Sequence, residues 1–181
     1  MKLTKDFFVA VSLLFICAKV ATAESAKPEV GKLFVGVWRA APGGVYTEDS
    51  EGKRFYPFGE MAEARFILTA DGFAANTLQF KDRANCANGQ SPRNCSTQEV
   101  EAAFQTASSY QYRYRLEPDP NNPLKGKIIW EVDLSVYPNW VGRTLLRDYE
   151  MNPDGTKWMF LAPLPANPKL GLKVFLERES R

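Results

Sequence analysis

Histidine is absent from all 181 residues of the chain. Its absence excludes Ser-His-Asp and Cys-His catalysis, and it excludes zinc or haem sites that need histidine ligands. Any acid or base in this protein must be an Asp, Glu, Lys or Tyr side chain, or a water molecule. We therefore predict no catalytic residue, no metal site and no cofactor.

An excess of charge of either sign is also missing. The chain has 23 basic and 21 acidic residues, and three of the basic and one of the acidic residues lie in its first 23 positions. The remaining 158 residues therefore carry twenty charges of each sign. Because nucleic-acid-binding domains carry a basic excess or a basic stripe, we predict no nucleic-acid partner.

Long apolar runs are confined to the N-terminus. The basic residues Lys2 and Lys5 precede an apolar run over residues 7–18, which only Ser12 interrupts. Ala21 and Ala23 then form a small-x-small cleavage pattern. This order of features predicts a secretory signal peptide that is cleaved after Ala23.

The predicted signal peptide, residues 1–23, leaves one domain over residues 24–181, which is enough chain for a workable core. We expect the protein to be secreted or periplasmic, without a transmembrane segment. An uncleaved N-terminal anchor is one alternative. A lipoprotein is another, but Ile16 occupies the place before Cys17 where a small residue is needed.

Cysteine is scarce, since only Cys86 and Cys95 remain after the predicted signal peptide. They lie in a segment rich in Asn, Gly, Pro and Ser, and an exported protein meets oxidising conditions. We therefore predict a disulfide between them. The alternative is a two-cysteine metal site, for which this segment offers only Asp82 before Glu99 as a carboxylate ligand.

The rest of the chain reads mainly as strands. Residues 110–117 alternate strictly between an apolar and a polar face, which is typical of a half-buried strand. One segment, residues 97–109, has helical spacing instead, with Ser96 or Thr97 as its N-cap. The eight predicted strands are residues 32–40, 64–70, 73–80, 110–117, 127–135, 143–151, 157–161 and 172–177.

This series of short strands predicts an all-β fold, an up-and-down antiparallel β-barrel of about eight strands with one short helix. A β-sandwich is the alternative. Closing a barrel removes exposed sheet edges, and eight strands leave room for side chains or one small ligand.

Four motifs occur in the same order as in a known family. They are Gly36-Val-Trp-Arg39, Tyr56-Pro-Phe-Gly-Glu60, Ile67-Leu-Thr-Ala-Asp-Gly72 and Ser135-Val-Tyr-Pro-Asn-Trp-Val-Gly142, the last followed by Arg147. Together they resemble the lipocalin-like domain family of small bacterial and fungal proteins, over residues 34–161. The resemblance implies a β-barrel with an internal cavity.

Within this resemblance we expect Gly36, Trp38 and Arg147 to be structural. Trp38 would plug the closed end of the barrel, while Gly36 lets the backbone pass close by. A cation, Arg147 or Arg178, would stack on the Trp38 ring. The chain departs from the family in two places. Where the family commonly has a histidine, this chain has Trp130 and Glu131, and the segment that contains the two cysteines is atypical.

Aromatic side chains are the candidate ligand-binding residues, because pockets for small molecules are mostly apolar. The set comprises Tyr112, Tyr114, Trp130, Tyr149 and Phe160, with Asn139 and Trp140 at the barrel mouth. The alternative is that the first five fill the barrel as ordinary core. For Asn139 and Trp140, the alternative is a tight turn that Pro138 stabilises.

Two carboxylates, Glu131 and Asp133, share one face of a predicted strand. Paired carboxylates can perform acid–base catalysis when burial raises one pKa. However, Arg113 and Arg115 lie on the same face of the predicted partner strand. We therefore interpret all four residues as a charge ladder on the outer surface.

The sequence thus favours an exported lipocalin-like protein that binds a small, mainly apolar molecule inside its barrel, without catalysis. The first alternative is a small isomerase or cyclase that uses Tyr, Glu or Asp in the cavity. The second is a non-catalytic envelope protein whose filled barrel serves only as an interaction module. A buried carboxylate in the cavity would favour the enzyme, and a cavity of useful volume would argue against the interaction module.

Overall fold

The computed structural model describes residues 30–87, 89, 91–164 and 167–179. The predicted signal peptide lies outside this range. In chain order the helices and strands are α1 (Val30–Phe34), β1 (Gly36–Glu48), β2 (Arg54–Phe55), β3 (Glu63–Leu68), β4 (Phe73–Gln79), α2 (Thr97–Gln105), β5 (Ala107–Pro118), β6 (Lys125–Ser135), β7 (Thr144–Met151), β8 (Lys157–Leu164) and β9 (Asn167–Arg178). Two 3-10 helices occupy Pro92–Asn94 and Pro138–Trp140. No helix within the described residues is long and apolar enough to cross a membrane.

The strands form one closed barrel. Strands β1 and β3 to β9 pair with their neighbours in antiparallel order, and β9 also pairs with β1. The two-residue strand β2 is an addition on β1 outside this ring of eight. The predicted up-and-down barrel of eight strands is therefore confirmed, and the sandwich is excluded.

Alternation decides which side chains enter the barrel. Strand β3 alternates strictly between exposed and buried residues, and β5 does so over most of its length. A register shift between β5 and β6 falls at Gln111 and Tyr112 and leaves Asp133 without a paired residue across the strands. On one side of this bulge Tyr112 and Trp130 lie on the buried face, whereas Leu134 on its other side is 59% exposed.

The two ends of the barrel differ. At the closed end, the first residues of β1 pair with the last residues of β3 and β9, and α1 precedes them directly. The opposite end, called the mouth here, carries the connection over residues 80–106 with α2 and the connection over residues 136–143 with the 3-10 helix Pro138–Trp140.

Several predicted boundaries need correction, since β1 continues to Glu48 and β9 begins at Asn167, beyond the predicted ranges 32–40 and 172–177, and β2 was not predicted. Residues 32–34 belong to helix α1 rather than to the first strand, because Phe34 turns inward and is completely buried beneath the barrel. The predicted helix over 97–109 ends at Gln105, because residues from Ala107 onward pair with β4 instead. The predicted cap is confirmed: Ser96 Oγ accepts a hydrogen bond from the backbone N–H of Glu99 over 3.3 Å.

The disulfide between Cys86 and Cys95 is present, with their Cα atoms 5.3 Å apart. This confirms the predicted pairing over the two-cysteine metal site. The carboxylate of Glu99 ties the disulfide loop to α2, because it accepts hydrogen bonds from the backbone N–H groups of Ala87 and Ser96, both over 2.7 Å.

Candidate functional site

The closed end is built around Trp38. Its side chain is fully buried, and its indole Nε1–H donates a hydrogen bond to the carbonyl oxygen of Phe34 over 2.8 Å. The guanidinium carbon of Arg178 lies 4.2 Å from the Trp38 ring centroid. The sequence predicted that Arg147 or Arg178 would stack on Trp38, and Arg178 is the residue that does so.

Arg178 also fastens α1 to the barrel. Its guanidinium donates hydrogen bonds to the carbonyl oxygens of Val35 (2.9 Å), Gly155 (3.1 Å) and Leu33. Gly36 makes this approach possible: its φ is +143°, and a Cβ atom there would lie 2.6 Å from Nη1 of Arg178. The glycine, the tryptophan and the arginine are therefore one structural unit.

Aromatic rings fill the barrel from the closed end to the mouth. Consecutive ring centroids in this column lie 4.7–5.6 Å apart, with Tyr112 stacked on Trp130 at 4.7 Å. Contacts at these distances stabilise a core beyond the burial of area alone. In order, the column contains Phe34, Trp158, Phe160, Trp130, Tyr112, Tyr110, Trp140, Tyr137 and Phe104.

A charged residue enters this aromatic interior. Arg147 lies on β7, where Leu145, Arg147 and Tyr149 alternate with exposed residues. Its guanidinium carbon lies 5.2 Å from the Trp130 ring centroid. Its Nη1 donates a hydrogen bond to the carbonyl oxygen of Leu146 over 2.8 Å, but its Nε–H is buried without a partner.

No salt bridge to Arg147 is formed by any carboxylate in the part of the chain that the structure describes. Burial lowers the pKa of its guanidinium, while the nearby Tyr110 opposes that effect. An arginine guanidinium is not deprotonated in folded proteins, so Arg147 carries its positive charge at neutral pH. Arg147 is half-buried, and no carboxylate among the described residues pairs with its positive charge.

Three further buried polar atoms beside Arg147 lack a hydrogen-bond partner within the described residues: Asn76 Oδ1, Tyr112 Oη and Trp130 Nε1. Asn76 pairs across strands with Tyr110, whose ring lies 5.4 Å from the Tyr112 ring. We call these residues, namely Asn76, Tyr110, Tyr112, Trp130 and Arg147, the polar cluster. A fifth unpartnered atom, Trp158 Nε1, lies nearer the closed end, so it is the grouping of four such atoms around Arg147 that makes the polar cluster a candidate site.

Both tyrosines of the polar cluster are neutral at physiological pH. Burial raises the pKa of Tyr110 to about 12, although the Arg147 guanidinium and Asn76 oppose the shift. Burial also raises the pKa of Tyr112 well above its usual value of 10.0. Each phenol therefore keeps its proton and can donate a hydrogen bond.

A pocket of about 420 Å³ lies at the mouth, next to the polar cluster. Apart from Asn139, its lining is apolar or aromatic: Phe104, Tyr137, Pro138, Asn139 and Trp140. Trp140 is half-buried, and its ring contacts the Tyr110 ring edge to face at 5.2 Å. Trp140 thus belongs both to this mouth pocket and to the boundary of the polar cluster.

The seven predicted ligand-binding residues occupy three places. Tyr112, Trp130 and Phe160 are buried in the middle of the barrel, while Asn139 and Trp140 line the mouth pocket. Tyr114 and Tyr149 lie toward the closed end, and their hydroxyls donate hydrogen bonds to the backbone carbonyls of Thr69 and Pro123.

Sequence reasoning did not single out Asn76 or Tyr110, and it gave Arg147 only a structural role. The signal for Arg147 is its position in β7, at even spacing from the inward-facing Leu145 and Tyr149. Tyr110 carries the same period-two signal in β5. Asn76 has the same even spacing from the inward-facing Ala74 and Leu78 in β4, but the signal is weak because polar side chains are common on strands that face solvent on one side.

The two carboxylates considered for catalysis, Glu131 and Asp133, are both exposed on the outer surface. Glu131 is paired in register with Arg113, but no salt bridge joins these two described residues, and the Arg113 guanidinium lies over the Phe73 ring. The rest of the ladder does not form, because Arg115 forms a salt bridge with Glu117 of its own strand. Asp133 lies at the bulge, which explains why it faces no arginine.

A larger groove of about 600 Å³ lies where β1 leaves β3. Its rim is charged, with Glu63, Lys81 and two arginines among the lining residues. Arg39 forms a salt bridge with Glu177, and Arg65 forms one with Glu179. None of the predicted ligand-binding residues lines this groove, so it is not the site that the aromatic pattern predicts.

Comparison with known proteins gives one finding. A family model described as a lipocalin-like domain matches residues 35–169. No curated protein and no solved structure matches the chain.

Proposed function

The chain belongs to the lipocalin-like domain family, and we propose that it binds one small, mainly apolar molecule in the mouth-side half of its barrel. The bound molecule would occupy the mouth pocket and reach the polar cluster past Trp140. The observation that carries this proposal is the group of four unpartnered buried polar atoms beside a pocket lined by aromatic rings. A mostly apolar wall with a few placed polar groups is the usual composition of a ligand site.

The size of the mouth pocket supports the same proposal. Its volume of about 420 Å³ falls within the range of about 300–1,000 Å³ that is typical of small-molecule pockets. Deeper in the barrel, the Tyr112 and Trp130 rings are stacked and fully buried. The half-buried Trp140 is therefore the ring that a ligand would displace in order to contact the polar cluster.

Binding is favoured over catalysis by the chemistry of the interior. The buried non-aromatic polar residues within the described structure are Thr47, Asn76 and Ser108, and none of them is a carboxylate. An isomerase or cyclase of the kind considered from the sequence would need an acid and a base in the cavity. Tyr110 and Tyr112, with their raised pKa values, can donate a proton only weakly at neutral pH.

We propose further that the protein acts outside the cytoplasm, after cleavage of residues 1–23. The disulfide between Cys86 and Cys95 supports this location, because such bonds persist mainly in oxidising compartments. Sequencing of the N-terminus of the exported protein tests the cleavage site. A mature chain that begins at Glu24 is expected.

The four tryptophans provide a test of where the ligand binds. Trp38 and Trp158 lie at or near the closed end, while Trp130 and Trp140 border the proposed site. We expect an apolar fluorescent fatty-acid analogue to quench the emission of Trp130 and Trp140. A double Trp130→Phe, Trp140→Phe variant, which keeps an aromatic ring at both positions, should lose most of this quenching.

The matched control is the double Trp38→Phe, Trp158→Phe variant, which removes the other two tryptophans. It should retain the quenching, because its remaining tryptophans are those beside the proposed site. Equal quenching in both double variants, or loss in the control alone, would contradict binding at the mouth. Native mass spectrometry of protein from its own source would then show whether any molecule copurifies.

A further inference from the structure

Resting on the proposed function, we propose that the ligand carries a carboxylate and that Arg147 binds this group inside the barrel. The ligand class is thus an apolar monocarboxylic acid. An ion without a partner in an apolar interior is strongly unfavourable, and proteins normally pair such a group. Arg147 forms no salt bridge within the described residues.

The chemistry of the unpartnered atoms indicates the sign and kind of the missing group. Arg147 Nε and Trp130 Nε1 are N–H donors, and the protonated Tyr112 hydroxyl is also a donor. Only Asn76 Oδ1 is purely an acceptor. A group that satisfies this set must therefore supply mainly acceptor oxygens, and a negative charge would also neutralise the guanidinium.

The geometry of Arg147 favours a planar anion. Its Nη1 donates to the Leu146 carbonyl and its Nε–H is unpartnered, so the guanidinium edge that carries Nε remains for a contact with an anion. A guanidinium edge and a carboxylate match in shape and form two parallel hydrogen bonds. The neutral Tyr110 hydroxyl, which interacts with Arg147, provides a further donor for such an anion.

The remainder of the ligand must be apolar. The rings of Trp140, Tyr137 and the exposed Phe104 lie between the polar cluster and the surface at the mouth. No charged side chain lines the mouth pocket. An apolar body against these rings and a carboxylate at the inner end together fit the site.

The test compares three probes with the same chain length: dodecanoate, dodecanol and dodecylamine. Their binding to delipidated protein is measured by calorimetry. We expect dodecanoate to bind at least about tenfold more tightly than dodecanol, and dodecylamine to bind weakest. The variant Arg147→Met keeps the length of the side chain but removes its charge. It should lower the affinity for dodecanoate about ten- to a hundredfold and change the affinity for dodecanol by less than about threefold.

The control is Arg113→Met, on the outward face of β5. It removes the same charge and should leave all three affinities unchanged. A Tyr110→Phe variant keeps the ring and removes only the hydroxyl beside Arg147. It should weaken dodecanoate binding by about tenfold. If Arg147→Met does not fold, this variant tests the contact with the carboxylate in its place.

The outcomes separate this inference from the proposed function. Equal affinities for dodecanoate and dodecanol would overturn the inference that the ligand carries a carboxylate. A dodecanoate affinity that neither variant changes would overturn it as well. In both cases the proposed binding of an apolar molecule would remain. If none of the three probes binds, the proposed function itself is wrong. Tighter binding of inorganic phosphate than of dodecanoate would replace the carboxylate by a different anion and would likewise overturn the inference.

Discussion

Two arginines stack on tryptophans in this barrel, and their replacement by methionine should change stability in opposite directions. Arg178 stacks on Trp38 at 4.2 Å, and Arg147 stacks on Trp130 at 5.2 Å. The two residues differ in the hydrogen bonds that accompany the stack. This difference allows a comparison in which the same substitution serves as test and control.

Arg178→Met should be strongly destabilising. The guanidinium donates to three backbone carbonyls, those of Leu33, Val35 and Gly155, and joins α1 to the last strand and to the β7–β8 turn. Hydrogen bonds from a charged group contribute about 1.5–3 kcal/mol each, and these three are not independent. We expect the free energy of unfolding to fall by about 3–5 kcal/mol.

Arg147→Met should be neutral or stabilising. The substitution removes a cation–π contact of about 0.5–2 kcal/mol and one hydrogen bond to the Leu146 carbonyl. In return it removes a half-buried charge that has no carboxylate partner within the described residues and whose partial desolvation is unfavourable. The net expectation is a free energy of unfolding that rises by about 1–3 kcal/mol, as is common where a binding residue is held at the expense of stability.

Urea denaturation of the mature protein and both variants, followed by circular dichroism, measures these differences. The proteins must be delipidated first, because a bound ligand stabilises the folded state by mass action. Addition of dodecanoate should then raise the midpoint of the wild type but not that of Arg147→Met. A loss of more than about 1 kcal/mol in Arg147→Met would refute the reasoning, since Arg147 would then act as a structural anchor like Arg178.

Three further predictions concern the core, the disulfide and pH. Trp38→Ala should lower the free energy of unfolding by about 3–5 kcal/mol, because the ring is fully buried at the closed end, and an unchanged denaturation midpoint would contradict this. Thiol labelling of the denatured, unreduced protein should find Cys86 and Cys95 blocked, and a double Cys→Ser variant should lose about 2–3 kcal/mol at most, since the loop is short. Stability should fall above pH 10, because burial raises the folded-state pKa of Tyr110 and Tyr149 to about 12, so that the unfolded chain loses these protons first. Denaturation midpoints that stay constant from pH 8 to about pH 11 would show that these phenols are not protected in the folded state.

Much of the barrel could be predicted from local sequence patterns. The alternation in β5 and β6 identified Tyr112 and Trp130 as inward-facing, and both are fully buried. All eight predicted strands occur as separate strands. The pattern misled at residues 32–34, because a strand and a short buried helix both begin with apolar residues, and only the packing of Phe34 beneath the barrel distinguishes them.

The candidate site was predicted less completely, because it depends on residues far apart in the chain. Tyr114 and Tyr149 have the same aromatic character and the same alternation as Tyr112, yet backbone carbonyls at the closed end hold their hydroxyls. Asn76 and Arg147 come from strands separated by half of the barrel sequence. Their convergence with Tyr110 follows from how the strands are arranged around the closed ring.

The sequence by itself determined the all-β class, the cap of α2, the pairing of the two cysteines and the inward faces of β5 and β6. These features depend on residues within a few positions of one another, where spacing fixes geometry. Tertiary structure alone decided that β9 closes on β1, that Arg178 rather than Arg147 covers Trp38, and that Arg147 enters the interior without a carboxylate. The physical reason is that these contacts follow from ring closure and strand register, which are set by packing over the whole barrel.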